Sequence, residues 1–212
     1  MPLSPHIPCR RDERSAFTLI ETLVVIVIIA TLAVLLLTAY GKLTDRASIA
    51  KSINNLRQIG IVVGDYIADH DGAFPSKRFE DTNQNWIEEV YKRAYKAEWP
   101  GFDPADTGEN LRGTILFSPS LKSSESRPWR SYGWNGRLQI GGENPPRVSA
   151  LSRPSQVILC GDSRNSSNID YKNVNYRNNG KALMLMADFH VQMFAPEEIP
   201  ANLTDPMWRP AY

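Results

Sequence analysis

From Phe17 to Leu37 the chain reads FTLIETLVVIVIIATLAVLLL, and Glu21 is the only charged residue in it. About 20 apolar residues are enough to cross a bilayer as a helix, so this block fixes one membrane span near the start. Ahead of it stands MPLSPHIPCRRDERSA, where Arg10, Arg11 and Arg14 favour a cytoplasmic N-terminus by the positive-inside rule and place the residues after the span outside. Lys42, Arg46, Lys51 and Arg57 beyond the span weaken that bias. A secretory signal has an apolar core of about 7 to 15 residues and a small-residue exit. Here the run is longer, and the small residue, Ala16, precedes it. A plain single-span anchor is the alternative reading, and against it stands Glu21 near the start of the span, a charge that costs about 2.5 to 3.5 kcal/mol when it reaches the centre.

The basic leader, Ala16 and then Phe17-Thr18-Leu19-Ile20-Glu21 resemble the type IV pilin and pseudopilin family. That resemblance implies that a membrane-embedded aspartyl prepilin peptidase cuts between Ala16 and Phe17, methylates the new Phe17 amine and leaves the helix attached. An acid inside the apolar layer calls for a partner, and the new Phe17 amine supplies one, so Glu21 is expected to act in assembly by pairing with the amine of a neighbouring subunit; the alternatives are a pair within one helix and a Glu21 that snorkels to the cytoplasmic interface. The family's usual residue before the cut is Gly, and Ala16 departs from it. Loss of the leader removes three arginines and two acids, which leaves the remaining chain neutral by formal count.

Helical periodicity continues past the span. Ile49, Ile53, Leu56, Gly60, Val63 and Ile67 recur at steps of four and three, with Lys51, Asn54, Arg57 and Asp65 opposite, the pattern of an amphipathic helix. Asp71-Gly72 and Pro75 supply its stop. One helix from Phe17 to about Asp69 would be roughly 80 Å long. The resemblance implies an α+β pilin-like lollipop, in which the second half of this helix packs on a small, mostly antiparallel sheet. The expected divisions are a leader at 1–16, a transmembrane half-helix at 17–38, an amphipathic half-helix at 39–71 and a globular periplasmic domain at 72–212. A second short helix is expected around Trp86, Ile87, Val90, Tyr91 and Ala94, ending before Pro100-Gly101, with Glu88 and Glu89 early and Lys92, Arg93 and Lys96 late, as a helix dipole favours. Apolar runs at Thr114 to Phe117, Arg130 to Trp134, Gln156 to Cys160, Lys181 to Met186 and His190 to Phe194 read as strands. The stretch from Ser163 to Asn179 reads as a loop.

A second resemblance lies in the C-terminal half. Phe117-Ser118-Pro119-Ser120, Ser131-Tyr132-Gly133-Trp134-Asn135, the strand from Pro154 to Asp162 and the stretch from Arg177 to Val191 look like the expanded pilin-like proteins of Planctomycetes and related bacteria. Those carry a His, nine residues and Asp-Gly. Here Asn178 stands at the His position and Phe189 follows Asp188.

Asp81, Asn83 and Asn85 match the first, third and fifth positions of a calcium loop, but Trp86 replaces its Gly and Lys92 its bidentate acid. Helix capping accounts for the same residues better. The G-type major pseudopilins, which the helix and Phe74-Pro75 resemble, bind calcium in a loop whose residues are not recognisable here, and no cofactor is expected. Asp69-His70-Asp71 is read as a solvated helix end rather than a metal site, and His190 beside Asp188 as a turn residue. No nucleophile motif such as G-x-S-x-G completes a catalytic set, so an enzyme is not expected. Cys160 sits in an apolar run as a buried thiol, and Cys9 leaves with the leader. Trp86, Trp99, Trp129, Trp134 and Trp208 are expected to serve core packing or interfaces before ligand stacking.

A formal charge of +1, from 24 basic and 23 acidic side chains, gives no support to nucleic-acid binding. The leading expectation is a structural subunit of a type II secretion pseudopilus or type IV pilus, held in the bacterial inner membrane by one pass. Its partners would be the prepilin peptidase, other pilin or pseudopilin subunits and the assembly platform. The alternative is a membrane-tethered binding module or minor tip subunit that captures an exported protein, a surface or a glycan.

Overall fold

The computed structural model describes residues 18–75, 86–101, 109–121, 130–138, 146–164 and 166–210. Helix α1 runs unbroken over Leu19–Asp69, 51 residues, so the long helix read from the periodicity is present as one element. By internal contacts the chain divides after Leu43 into two units.

In the first unit, every residue of α1 from Leu19 to Leu37 is exposed. The most apolar stretch has a mean hydropathy of 2.9, long and apolar enough to cross a membrane. Thr22 and Thr31 turn their hydroxyls onto the carbonyls of Leu19 and Ile28, at 2.9 and 2.8 Å. Both hydroxyls are thereby satisfied inside the helix, which a hydrocarbon surrounding requires.

In the second unit, α1 buries the expected stripe. Leu56, Ile59 and Val63 are fully enclosed, and Ile53, Val62 and Ile67 pack beside them, while Lys51, Asn54, Arg57 and Asp65 stay exposed. Each fully buried side chain of this kind contributes about 1.5 to 3 kcal/mol. The helix ends where Asp71 and Gly72 take left-handed φ values of 51° and 81°, and the Gly72 N–H closes on the Ile67 carbonyl at 2.9 Å. Helix α2 covers Trp86–Tyr95 and turns Trp86, Ile87 and Val90 inward. Arg93 ties it to α1: it bonds Glu89 of its own helix at 2.6 Å and reaches Asp69 and Asp65 of α1 at 2.9 and 3.3 Å. The residues Asp81, Asn83 and Asn85 lie outside the described residues.

Among the described residues five strands form one sheet: β1 (Tyr132–Asn135), β2 (Ile158–Asp162), β3 (Asn168–Ile169), β4 (Ala182–Met186) and β5 (Val191–Phe194). Their order is β3-β1-β2-β4-β5. The pairs β1–β2, β2–β4 and β4–β5 are antiparallel, and β3 joins β1 in parallel. The α+β class and the mostly antiparallel sheet therefore stand. Two local readings are corrected. Thr114 to Phe117 is a chain of turns, because the Thr114 N–H bonds the Leu111 carbonyl and the Phe117 N–H bonds that of Thr114, at 3.0 and 3.3 Å, so these groups are committed locally. The expected loop from Ser163 to Asn179 contains β3, a two-residue strand too short to show a period.

The sheet is covered on both faces. Leu56, Ile59, Trp86, Trp134, Leu183 and Leu185 belong to one cluster, and Ile158, Ala182, Met184, Met186, Phe194 and Trp208 to the other. Alternate residues of β4 serve opposite layers, which is why ALMLM is apolar throughout. The second layer is closed by the C-terminal segment. The Ile158 N–H bonds the Met207 carbonyl at 2.9 Å, and Asn135 Nδ2 donates to the carbonyls of Ile158 and Trp208 at 2.7 and 2.8 Å.

Candidate functional site

Arg10, Arg11, Arg14, Ala16 and Phe17 lie outside the described residues, which begin at Thr18. Glu21 is described, and its setting is specific. Glu21 Oε2 accepts the Thr18 N–H and the Thr18 hydroxyl, both at 2.8 Å, while Thr18 Oγ1 lies 3.3 Å from the Glu21 N–H. This is a capping box: residue and acid three apart satisfy each other's backbone donors at the first turn of a helix. Thr18 is thus the cap, and α1 starts at Leu19 for a local chemical reason. Sequence reading took Phe-Thr-Leu-Ile-Glu as one motif and overlooked the Thr-x-x-Glu signature within it. A carboxylate offers about four acceptor positions, so the box uses only part of the capacity of Glu21.

The other candidates fall apart spatially. Asp69 pairs with Arg93, while the His70 ring stacks on Tyr66 at 3.8 Å with its Nδ1 2.8 Å from the Tyr66 carbonyl oxygen. Among the described residues no group of three metal-ligating side chains converges. His190 meets Asp188 through Nδ1 and Gln192 through Nε2, an exposed clasp across the β4–β5 turn. Cys160 is buried in β2, and burial, with the Asp162 charge, pushes its thiol far up from its ordinary value; a protonated, enclosed sulfur is a poor nucleophile. Trp86 and Trp134 stack at 5.6 Å in the core, and Trp208 is fully enclosed. Trp99 packs edge-on to Tyr91, and Trp129 lies outside the described residues.

The feature that sequence reading missed is a buried polar network at the end of β2. Asp162 is fully buried; its Oδ2 accepts from Asn178 Nδ2 at 2.6 Å and from the Leu183 N–H at 2.8 Å. Arg177 Nε stands 3.7 Å from Asp162 Oδ1, with both side chains at 1% exposure or less, and Arg177 Nη2 donates to the Ser163 carbonyl. A charge pair kept this dry needs such bonds to offset desolvation. The only sequence signal was an acid closing an apolar strand. A second cluster anchors the 117–120 segment on α1: Asn55 Nδ2 donates to the Phe117 carbonyl at 3.0 Å, and the Ser52 hydroxyl lies 3.2 and 3.1 Å from those of Ser118 and Ser120.

A family profile described as the prokaryotic N-terminal methylation motif matches residues 11–37. That stretch holds part of the basic leader, the capping box and the apolar span. No curated protein and no solved structure matches the chain.

Proposed function

We propose that this chain, type IV pilin-like by its N-terminal methylation motif and its long apolar helix, is a structural subunit of a type II secretion pseudopilus or a type IV pilus. The observation that supports this reading is the overlap, within residues 11–37, of the processing motif, the span and one capped acid. A prepilin peptidase would cut between Ala16 and Phe17 and methylate the Phe17 amine, with the leader arginines Arg10, Arg11 and Arg14 kept in the cytoplasm. The helix then stays in the inner membrane as a single pass, with the domain outside the cytoplasm. Residues 17–38 form the membrane half of the helix, 39–71 its amphipathic half and 72–212 the globular domain.

Assembly is a matter of where charge is placed in an apolar bundle. An ion without a partner in hydrocarbon is expensive, and cleavage supplies one, because the secondary amine of methylated Phe17 is protonated at neutral pH. With its remaining lone pairs Glu21 accepts that amine from an adjacent subunit, and the axial stagger that brings the two together fixes the register between helices. The test is Glu21→Val in cells carrying the assembly machinery. The variant is expected to insert and to be cleaved to a Phe17 start, yet to be missing from sheared or crosslinked filament fractions. Equal incorporation of variant and wild type would remove the register role, and an intact Met1 start in wild-type membranes would remove the processing reading.

A further inference from the structure

The sheet ends on two unlike edges. Among the described residues β3 closes one side with two residues, while β5 closes the other with four, Val191–Phe194. Short length is one way in which proteins blunt an edge; a lysine, a proline or a bulge within the strand are others. Val-Gln-Met-Phe contains neither lysine nor proline, and it pairs with β4 in unbroken register.

That register decides which backbone groups face outward. The turn before β5 closes with the Met186 N–H on the His190 carbonyl and the Phe189 N–H on the Met186 carbonyl, both at 2.9 Å, with Phe189 at φ 70°, a three-residue hairpin loop. Antiparallel pairs alternate between bonded and non-bonded. Counting from Met186 and His190, the bonded pairs are therefore Met184 with Gln192 and Ala182 with Phe194. The N–H and C=O groups of Val191 and Met193 point away from β4, and no described residue bonds them. The next outward N–H, that of Ala195, is taken by Glu198 Oε2 at 2.6 Å, which ends the open edge. Along it Gln192 is exposed, and Val191 and Met193 are half-buried.

Charge distinguishes the occupants. Asp188 precedes the strand and Glu197 and Glu198 follow it, all three exposed, whereas Lys181 lies one strand further in, before β4. A second copy paired antiparallel through the same edge would set Asp188 of one chain towards Glu197 and Glu198 of the other, and like charges placed opposite one another destabilise. An extended segment with basic ends meets acids at both ends of β5 instead.

We propose that the outer edge of β5 binds an extended segment of a partner protein, uncharged in its middle and basic at both ends, which adds a further strand through backbone bonds to Val191 and Met193. In strand addition the main chain supplies affinity, and here the flanking acids select the ends. The surface adds a binding role to the filament role and stands or falls separately from it.

The test uses the full chain in phosphatidylcholine nanodiscs, with empty nanodiscs as blank, and fluorescence anisotropy of labelled peptides. Lys-Lys-Thr-Val-Thr-Val-Thr-Lys-Lys is expected to bind saturably. Its counterpart with Glu at both ends should bind several-fold more weakly at low salt, the gap closing as salt rises. A copy of the basic peptide methylated at its central backbone nitrogens keeps the charge, loses the donors and should not bind. Val191→Pro removes one outward N–H where an edge strand tolerates proline, and should weaken binding in a chain that still melts cooperatively. Binding of the methylated peptide, equal affinity for the Lys-ended and Glu-ended peptides, absence of saturable binding, or undiminished binding to folded Val191→Pro would each overturn the proposal. A dimer in mass photometry that Val191→Pro dissociates would give the edge to a second copy and overturn it as well.

Discussion

The side chain of Phe189 lies against the bare backbone of Gly60: a Cβ placed on Gly60 would stand 3.4 Å from Phe189 Cβ and 3.2 Å from Leu185 Cδ1. One turn on, a Cβ on Gly64 would meet the Phe189 ring at 3.5 and 3.8 Å, ordinary contact. Phe189 itself sits at φ 70°, a left-handed conformation that costs a bulky residue about 1 to 3 kcal/mol. Packing into the two-glycine notch offsets that strain. Gly60→Leu is therefore expected to destabilise by about 1 to 3 kcal/mol through overpacking, whereas Gly64→Ala gains up to about 1 kcal/mol of helix propensity. Thermal unfolding followed by circular dichroism should show opposite shifts. Shifts of the same sign would mean the notch does not hold the ring.

Asp162→Ala leaves the Arg177 guanidinium without its buried counter-charge, and Asn178 Nδ2 and the Leu183 N–H without their acceptor. Breaking a buried pair from one side costs about 3 to 5 kcal/mol. Urea denaturation should report a loss of that size. The double variant Asp162→Ala with Arg177→Met should recover part of it, because no buried charge remains.

The capping box and the charge of Glu21 can be separated. Thr18→Val removes the cap at a cost of about 1 kcal/mol, and hydrogen exchange should quicken at the amides of residues 19–22, while Thr18→Ser should leave it unchanged. Glu21→Gln preserves the box, since Gln serves at that position, but carries no charge. Protected first-turn amides together with absence from filaments would assign assembly to the charge. Normal filament entry would assign it to the cap.

Burial pushes up both the Tyr132 phenol and the Cys160 thiol, with the Asp162 charge adding to the shift in each case and the Ser118 and Ser52 hydroxyls opposing it at Tyr132. Both groups hold their protons more tightly folded than unfolded. Their stabilisation is full below the ordinary values of 9.0 for the thiol and 10.0 for the phenol, and it is lost as pH rises from there towards the folded-state values. The melting temperature should fall progressively above about pH 9. Tyr132→Phe should flatten the part of that decline above pH 10, and an unchanged slope would place the alkaline sensitivity elsewhere.

The span and the α1 stripe were legible because a single element repeats its signal many times: six stripe positions from Ile49 to Ile67 all point to one face. Strands β4 and β5 were legible because their apolar runs are bounded by turn residues. Thr114 to Phe117 has the composition of a strand, but Tyr95 Oη accepts the Ile115 N–H at 2.8 Å and Ser131 Oγ donates to the Leu116 carbonyl at 3.1 Å. Such partners lie far off in the chain and leave no period. The same holds for Asp162 and Arg177, fifteen positions apart, whose pairing exists only once β2 and the loop after it have folded. The capping box was legible in principle, since its two residues are three apart and precede an apolar run.

Trp208 gives the chain a timetable. Its indole is fully enclosed and donates to the Pro200 carbonyl at 2.9 Å, so one layer of the core cannot close until that position has left the ribosome. The long apolar stretch of α1 near the other end emerges far earlier, while the sheet is still open on one side. A chain released short of position 208 would therefore carry that stretch together with Ile158, Met184 and Met186 exposed, a ready target for proteolytic clearance.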